Sequence, residues 1–172
     1  MRTELGVMEI FILAVVAHGG LHSLYELQAR AGLQPGGVQV ALRRLESGGL
    51  LERTEQQRRR RRVINVTPEG ARVLVEQWRS CVRDYPDIES VLRAATVGLL
   101  MDDLRTTDSY LVEMAAKHEG QGNKQPGNEL QPGKSPMEFY AWTRWLWEAR
   151  RHQTVAGVLR QIVGELEKPQ RS

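Results

Sequence analysis

Residues 35–70 read PGGVQVALRRLESGGLLERTEQQRRRRRVINVTPEG, and this stretch decides the fold. Pro35 stands where a first helical residue tolerates proline, because its missing N–H would have no partner there. Val38, Leu42 and Leu45 recur at i, i+4 and i+7, which predicts a helix to about Ser47 with one buried stripe. Gln39, Arg43 and Glu46 lie on its other face, with Gly36, Gly37, Val40 and Arg44 around the edges, and Gly48-Gly49 closes it. Two strands follow, Leu50 to Glu55 and Val63 to Thr67. In the second, Ile64 and Val66 alternate with Val63, Asn65 and Thr67 at period two. Between the strands lie Gln56, Gln57 and five consecutive arginines, Arg58, Arg59, Arg60, Arg61 and Arg62. Thr67-Pro68-Glu69 then opens a helix with an N-cap hydroxyl, a proline at the first position and a carboxylate in the first turn.

Upstream, residues 5–17 are apolar with few breaks and read as a mostly buried first helix, ended by Gly19-Gly20. Ser23 caps a second helix to about Ala31, with Leu24, Leu27 and Ala31 inward; Gly32 permits the left-handed turn that stops it. Downstream, the helix from Pro68 carries Val73, Leu74, Trp78, Cys81 and Val82 inward and ends before Pro86. A further helix is expected from about Asp87 to Arg105, and another from a cap at Thr107 or Asp108 to about His118. Residues 119–135, rich in Gly, Pro, Asn and Gln, read as a flexible linker. Ser135-Pro136-Met137-Glu138 is a capping box opening a long helix to about Glu167. Trp142, Trp145, Ala149, His152, Ala156, Leu159, Val163 and Leu166 fall three and four apart along it, a heptad-like seam. Phe139, Leu146, Val155 and Ile162 widen its apolar face. At the standard rise this helix is about 45 Å long.

The chain has 172 residues, 41% of them hydrophobic, enough for a packed core. Its formal net charge is +3, unevenly distributed. Residues 1–83 carry 13 Lys and Arg against 8 Asp and Glu, whereas residues 84–172 carry 11 against 13. The positive half is therefore the one to match with a polyanion. The single cysteine, Cys81, forms no intramolecular disulfide, which suits a reducing cytoplasm. The apolar run Ile10–Ala17 is too short to cross a bilayer, so no membrane partner is expected. Glu9 abuts that run and only Arg2 supplies positive charge ahead of it, which argues against a leader peptide.

The expected fold is mostly α with a small β-hairpin wing: a winged helix-turn-helix over residues 1–84 and a helical dimerisation or effector domain over 85–172. In such a unit the second helix packs across the third and holds it out from the core. The third helix then offers its polar face to the major groove of double-stranded DNA, and the hairpin carries basic residues to phosphates or the minor groove. Arginine can donate two hydrogen bonds to guanine, and glutamine can pair with adenine. The candidate DNA contacts are Gln34, Gly36, Gly37, Gln39, Val40, Arg43 and Arg44 on the third helix and Arg58 to Arg62 on the wing. Solvated helix surface is the bland alternative for Arg43 and Arg44. For the five arginines it is a solubilising loop, against which stands their mutual repulsion without an anionic partner. Alternate strand residues face opposite ways, so two or three of the five are expected to touch DNA.

Three blocks, Gly37-Val38-Gln39-Val40-Ala41-Leu42-Arg43-Arg44-Leu45-Glu46, Gly49-Leu50 and Arg60 to Gly70, resemble the PadR family of bacterial regulators; the related MarR family shares much of this pattern. The likeness is good over residues 5–80 and looser over Ile88 to Leu166. It implies a dimeric repressor on a palindromic operator near a promoter, with the third helix as recognition helix and Arg58 to Arg62 as the wing. The family often has tyrosine where this chain has Gln39. His22-Ser23-Leu24-Tyr25-Glu26-Leu27 is one residue longer than the usual family motif, and Gln28 stands where a small residue is common.

Trp142, Trp145, Ala149, His152, Leu159, Val163 and Leu166 are the candidate dimerisation or ligand-pocket residues. Tryptophan is favoured at interfaces, so the Trp142, Trp145 and Trp147 cluster reads first as homodimer packing. The alternative is a pocket for a small aromatic effector, which the family likeness also suggests. His152 lies on the seam as a polar interface position that can titrate near neutrality. His18 and His22 have a helical metal-ligand spacing, but Gly19-Gly20 lies between them, so no metal is expected. Asp102-Asp103 are adjacent and would not face each other on a helix. No phosphate loop, nucleophile elbow or His-Glu metal motif is present, so neither an enzyme nor a cofactor is expected. The alternative function is a winged-helix protein-interaction module without DNA-binding activity.

Overall fold

Helix α1 (Val7–Ala17) is the centre of the N-terminal packing, because seven consecutive residues, Ile10 to Val16, are all buried. A helix apolar on every side must be covered on every side. In the computed structural model, α1 touches α3 (Pro35–Ser47), α4 (Pro68–Gln77), α5 (Ile88–Leu100), β2 (Arg61–Val66) and the 3-10 turn Trp78–Cys81. Described are residues 4–56, 61–123 and 136–167, without the side chains of residues 55, 56, 61, 62 and 136–147.

The short helix α2 (Leu24–Ala29) is capped by Ser23, whose Oγ accepts from the Glu26 amide at 3.2 Å. The Glu26 carboxylate reaches back to the His22 amide at 3.0 Å, one residue before the cap, and also accepts from Ser23 Oγ at 2.8 Å, a variant of the capping box. Only Leu27 on this helix is fully buried, and the helix ends at Ala29, two residues before the expected Ala31. Gly32 follows with φ +64°, a conformation that a side chain would strain. α3 buries Val38, Ala41, Leu42 and Leu45, the expected stripe with one alanine added.

β1 (Leu51–Gln56) pairs antiparallel with β2, in register from Leu51↔Val66 to Gln56↔Arg61. The strands begin one and two residues away from the expected starts, since the pairing is set at the hairpin base. There the Thr67 amide donates to the Leu50 carbonyl at 3.1 Å and Thr67 Oγ1 donates to the Gly49 carbonyl at 2.7 Å. The same Oγ1 caps α4 by accepting from the Gly70 amide at 3.0 Å. Gly70 is sterically required: a Cβ there would stand 2.1 Å from the Leu50 carbonyl oxygen. Gly49-Leu50 and Thr67-Pro68-Glu69-Gly70 thus form one clamp that roots the hairpin in the helical core. α4 ends at Gln77, and Trp78 and Cys81 continue inward from the 3-10 turn; Val82 is half-buried.

The expected helix from 87 to 105 is two elements. α5 is capped by Asp87, whose carboxylate accepts from the Ser90 amide at 2.8 Å, and it ends at Leu100. Asp102 then adopts a left-handed φ of +57°, and Asp103 caps α6 (Leu104–Gly122) through the Thr106 amide at 3.0 Å. The α6 cap is therefore Asp103, not Thr107 or Asp108, because a helix starting at Leu104 puts Thr107 inside its first turn, where it is buried against Gly98. Helix α6 also overruns the expected stop at His118, so residues 119–122 are helical, not linker. Residues 124–135, most of the expected linker, lie outside the described residues, as does Ser135 of the expected capping box. Helix α7 runs Pro136–Leu166.

The chain divides into two compact units, residues 1–107 and 108–172, and α6 spans the boundary. The first is mostly helical with a two-stranded antiparallel hairpin, an order compatible with a winged helix. The second buries Tyr110, Leu111, Met114, Ala115 and His118 on α6, at helical spacing, and Ala149, Val155, Ala156 and Leu159 on α7. Among the described residues no helix is long and apolar enough to cross a membrane.

Candidate nucleic-acid interface

The polar face of α3 is built by subtraction. Val38, Ala41, Leu42 and Leu45 point inward, which leaves Gln39, Val40, Arg43 and Arg44 exposed on the other side. Val40 is 48% exposed, an apolar surface between polar neighbours. Gln34, Gly36 and Gly37 form the exposed N-terminal end. The Gln34 side chain makes no cap hydrogen bond, and the first turn holds no acidic residue. Nothing lies within 4 Å of where a Cβ would stand at Gly36 or Gly37. The first amides of α3 are therefore open to an external acceptor at the positive end of the helix dipole, an arrangement suited to a phosphate.

The two arginines of this face differ. Arg43 makes no ion pair among the described residues. Arg44 lies 3.3 Å from the Glu9 carboxylate of α1, with its own side chain 72% exposed. Glu9 thereby fixes the C-terminal half of α3 to the central helix while the Arg44 guanidinium keeps most of its surface in water. Two residues further along α3, Glu46 forms an ion pair with Arg53 of β1. This contact joins helix and hairpin directly, with both side chains partly buried.

The hairpin is held from its other edge as well. The Ile64 amide donates to the His22 carbonyl at 2.8 Å, and His22 Nδ1 donates to the Ile64 carbonyl at 3.3 Å. His22 also belongs to the capping box of α2, so one residue links the helical pair to β2. Glu52 and Thr54 are exposed along β1, and Asn65 donates across the ladder to Thr54 at 3.3 Å. Arg61 and Arg62 occupy β2 opposite Gln56 and Glu55. Arg58, Arg59 and Arg60 lie outside the described residues, as do the side chains of Arg61 and Arg62.

Tyr25 on α2 is 69% exposed and Arg30 at its C-cap is exposed; both widen the polar surface beside α3, and neither was singled out from the sequence. The Glu46–Arg53 and His22–Ile64 contacts were also missed, since residues so far apart in the chain leave no shared period. The Ser23-to-Glu26 capping spacing was the only available hint that His22 is held in place.

In the second unit, Ala149 and Leu159 are buried within one chain, and His152, Val163 and Leu166 are half-buried. Trp142 and Trp145 belong to α7, with side chains outside the described residues. Among the described residues no three His, Cys, Asp or Glu side chains cluster as metal ligands. Cys81 donates to the Trp78 carbonyl at 2.8 Å, and burial pushes its thiol up to about 11, which keeps it un-ionised at neutral pH. The chain matches no family model, no curated protein and no solved structure.

Proposed function

We propose that this chain is a sequence-specific DNA-binding transcriptional regulator of the PadR type, acting in the cytoplasm as a homodimeric repressor. In this reading the first unit is a winged helix, α3 lies in the major groove, and the hairpin bearing Arg58 to Arg62 follows the flanking phosphates. The observation that carries it is the exposed Gln39, Val40 and Arg43 face on a helix tied through Glu46 and Arg53 to a basic hairpin. Each part has its own chemistry. Arg43 suits a bidentate contact to guanine, Gln39 a contact to adenine, and Val40 the methyl group of thymine. The open amides at Gly36 and Gly37 suit a backbone phosphate, which sets register without reading sequence. The resemblance of residues 37–70 to PadR proteins supports the same assignment.

In a homodimer the two recognition helices would meet half-sites about one helical turn apart, and the operator would be near-palindromic. Selection of bound duplexes from a random pool by the full chain tests this. The expected result is enrichment of a two-fold symmetric sequence with half-sites about 10 base pairs apart. Recovery of an unenriched pool, with binding equal on all duplexes, contradicts sequence-specific recognition.

A further inference from the structure

Two histidines 34 positions apart meet in the second unit. His118 Nδ1 on α6 lies 2.8 Å from His152 Nδ1 on α7, with ring centroids 5.0 Å apart and planes inclined by 35°. His118 is only 3% exposed, and His152 is half-buried. At this distance the two nitrogens share a hydrogen bond, so one must carry a proton and the other must present a lone pair. A pair protonated at all four ring nitrogens has no acceptor and sets two like charges side by side.

The geometry points to a proton-operated contact: the His118–His152 hydrogen bond latches α6 to α7 near neutral pH and is released on acidification. The surroundings favour release. Lys117 on α6 and Arg151 on α7 add positive charge beside the pair. Glu119 on α6 is engaged by Arg160 of α7, and Glu148 stands one turn before His152. Burial, then His152, Lys117 and Arg151, hold His118 below the usual imidazole range. The neutral imidazole is thus the folded form. Its stabilisation is complete above the ordinary histidine value and is lost as pH falls through the lowered one. Further contacts along the same helices share the consequence, since Gln153 Nε2 donates to the Gly122 carbonyl at 3.3 Å.

This inference does not depend on DNA binding and is tested without DNA. Imidazole nitrogen spectra and amide hydrogen exchange of the full chain are recorded from pH 8 to pH 5 with a chelator present. The His118 signals should titrate below the ordinary imidazole range. Exchange of amides 115–122 and 149–155, corrected for intrinsic rate, should accelerate severalfold on acidification. In His118→Gln that acceleration should vanish, and in His152→Gln, where burial of His118 remains, it should shrink. Its undiminished persistence in either variant, or a His118 titration in the unaltered chain at or above the ordinary imidazole value, would overturn the latch. Should a variant fail to fold, the imidazole spectra of the unaltered chain decide alone.

Discussion

Arg43 and Arg44 are neighbours in sequence with different surroundings, and this difference predicts different roles. Arg44 is shared with Glu9, so a phosphate would have to compete with a carboxylate for it. Arg43 has no competing anion among the described residues and lies on the face with Gln39 and Val40. Arg43→Ala is expected to lose about 1–3 kcal/mol of discrimination at one base position, read by comparing affinities for matched and mismatched duplexes. Equal loss on all duplexes would make Arg43 a phosphate contact instead. Gly70 answers a steric demand. A methyl group there meets the Leu50 carbonyl, so Gly70→Ala should destabilise the fold by about 1–3 kcal/mol in denaturant melts. An unshifted midpoint would show that the hairpin base can open to admit it.

At the scale of elements, the coupling between α3 and the hairpin is the feature on which the DNA-binding reading turns. The ion pair of Glu46 with Arg53 is one tie, His22 with Ile64 a second, and the Gly49 to Gly70 clamp a third. Partly exposed ion pairs are worth up to about 1 kcal/mol in stability, so Glu46→Arg should leave the fold intact. It should nevertheless weaken discrimination between matched and mismatched duplexes by loosening the hairpin against α3. The exchanged pair Glu46→Arg with Arg53→Glu should recover most of the loss, as measured by titration of all variants. No recovery would mean that the pair does not set the hairpin position.

The helices α1, α3 and α4 and the hairpin were legible in the sequence because periods of 3.6 and 2 are local signals, and Pro35, Thr67 and Pro68 mark their starts. The break between α5 and α6 was not. Leu99, Leu100 and Leu104 continue an apolar pattern through it, and only the left-handed Asp102 and the capping Asp103 reveal it. The polar face of α3 was readable as the complement of its buried stripe. The contacts that aim it, Glu46 to Arg53 and His22 to Ile64, join distant positions and carry no periodic trace.

At the scale of the whole molecule, the described part of α7 is covered unevenly. Ala149, Ala156 and Leu159 are covered within one chain, whereas Val163 and Leu166 are half-buried. The proposed homodimer predicts that the full chain sediments at twice the chain mass at micromolar concentration. A monomer at every concentration would remove the two-fold operator from the account while leaving recognition by a single unit.

The most direct measurement is the salt dependence of affinity for the selected duplex, for the full chain and for Arg59→Ala/Arg60→Ala/Arg61→Ala. A hairpin gripping the same duplex as α3 releases counterions, and the logarithmic salt slope should fall by about 0.9 for each phosphate contact removed. Affinity should drop on all duplexes alike. An unchanged slope and affinity in the triple variant would contradict the joint grip of helix and hairpin.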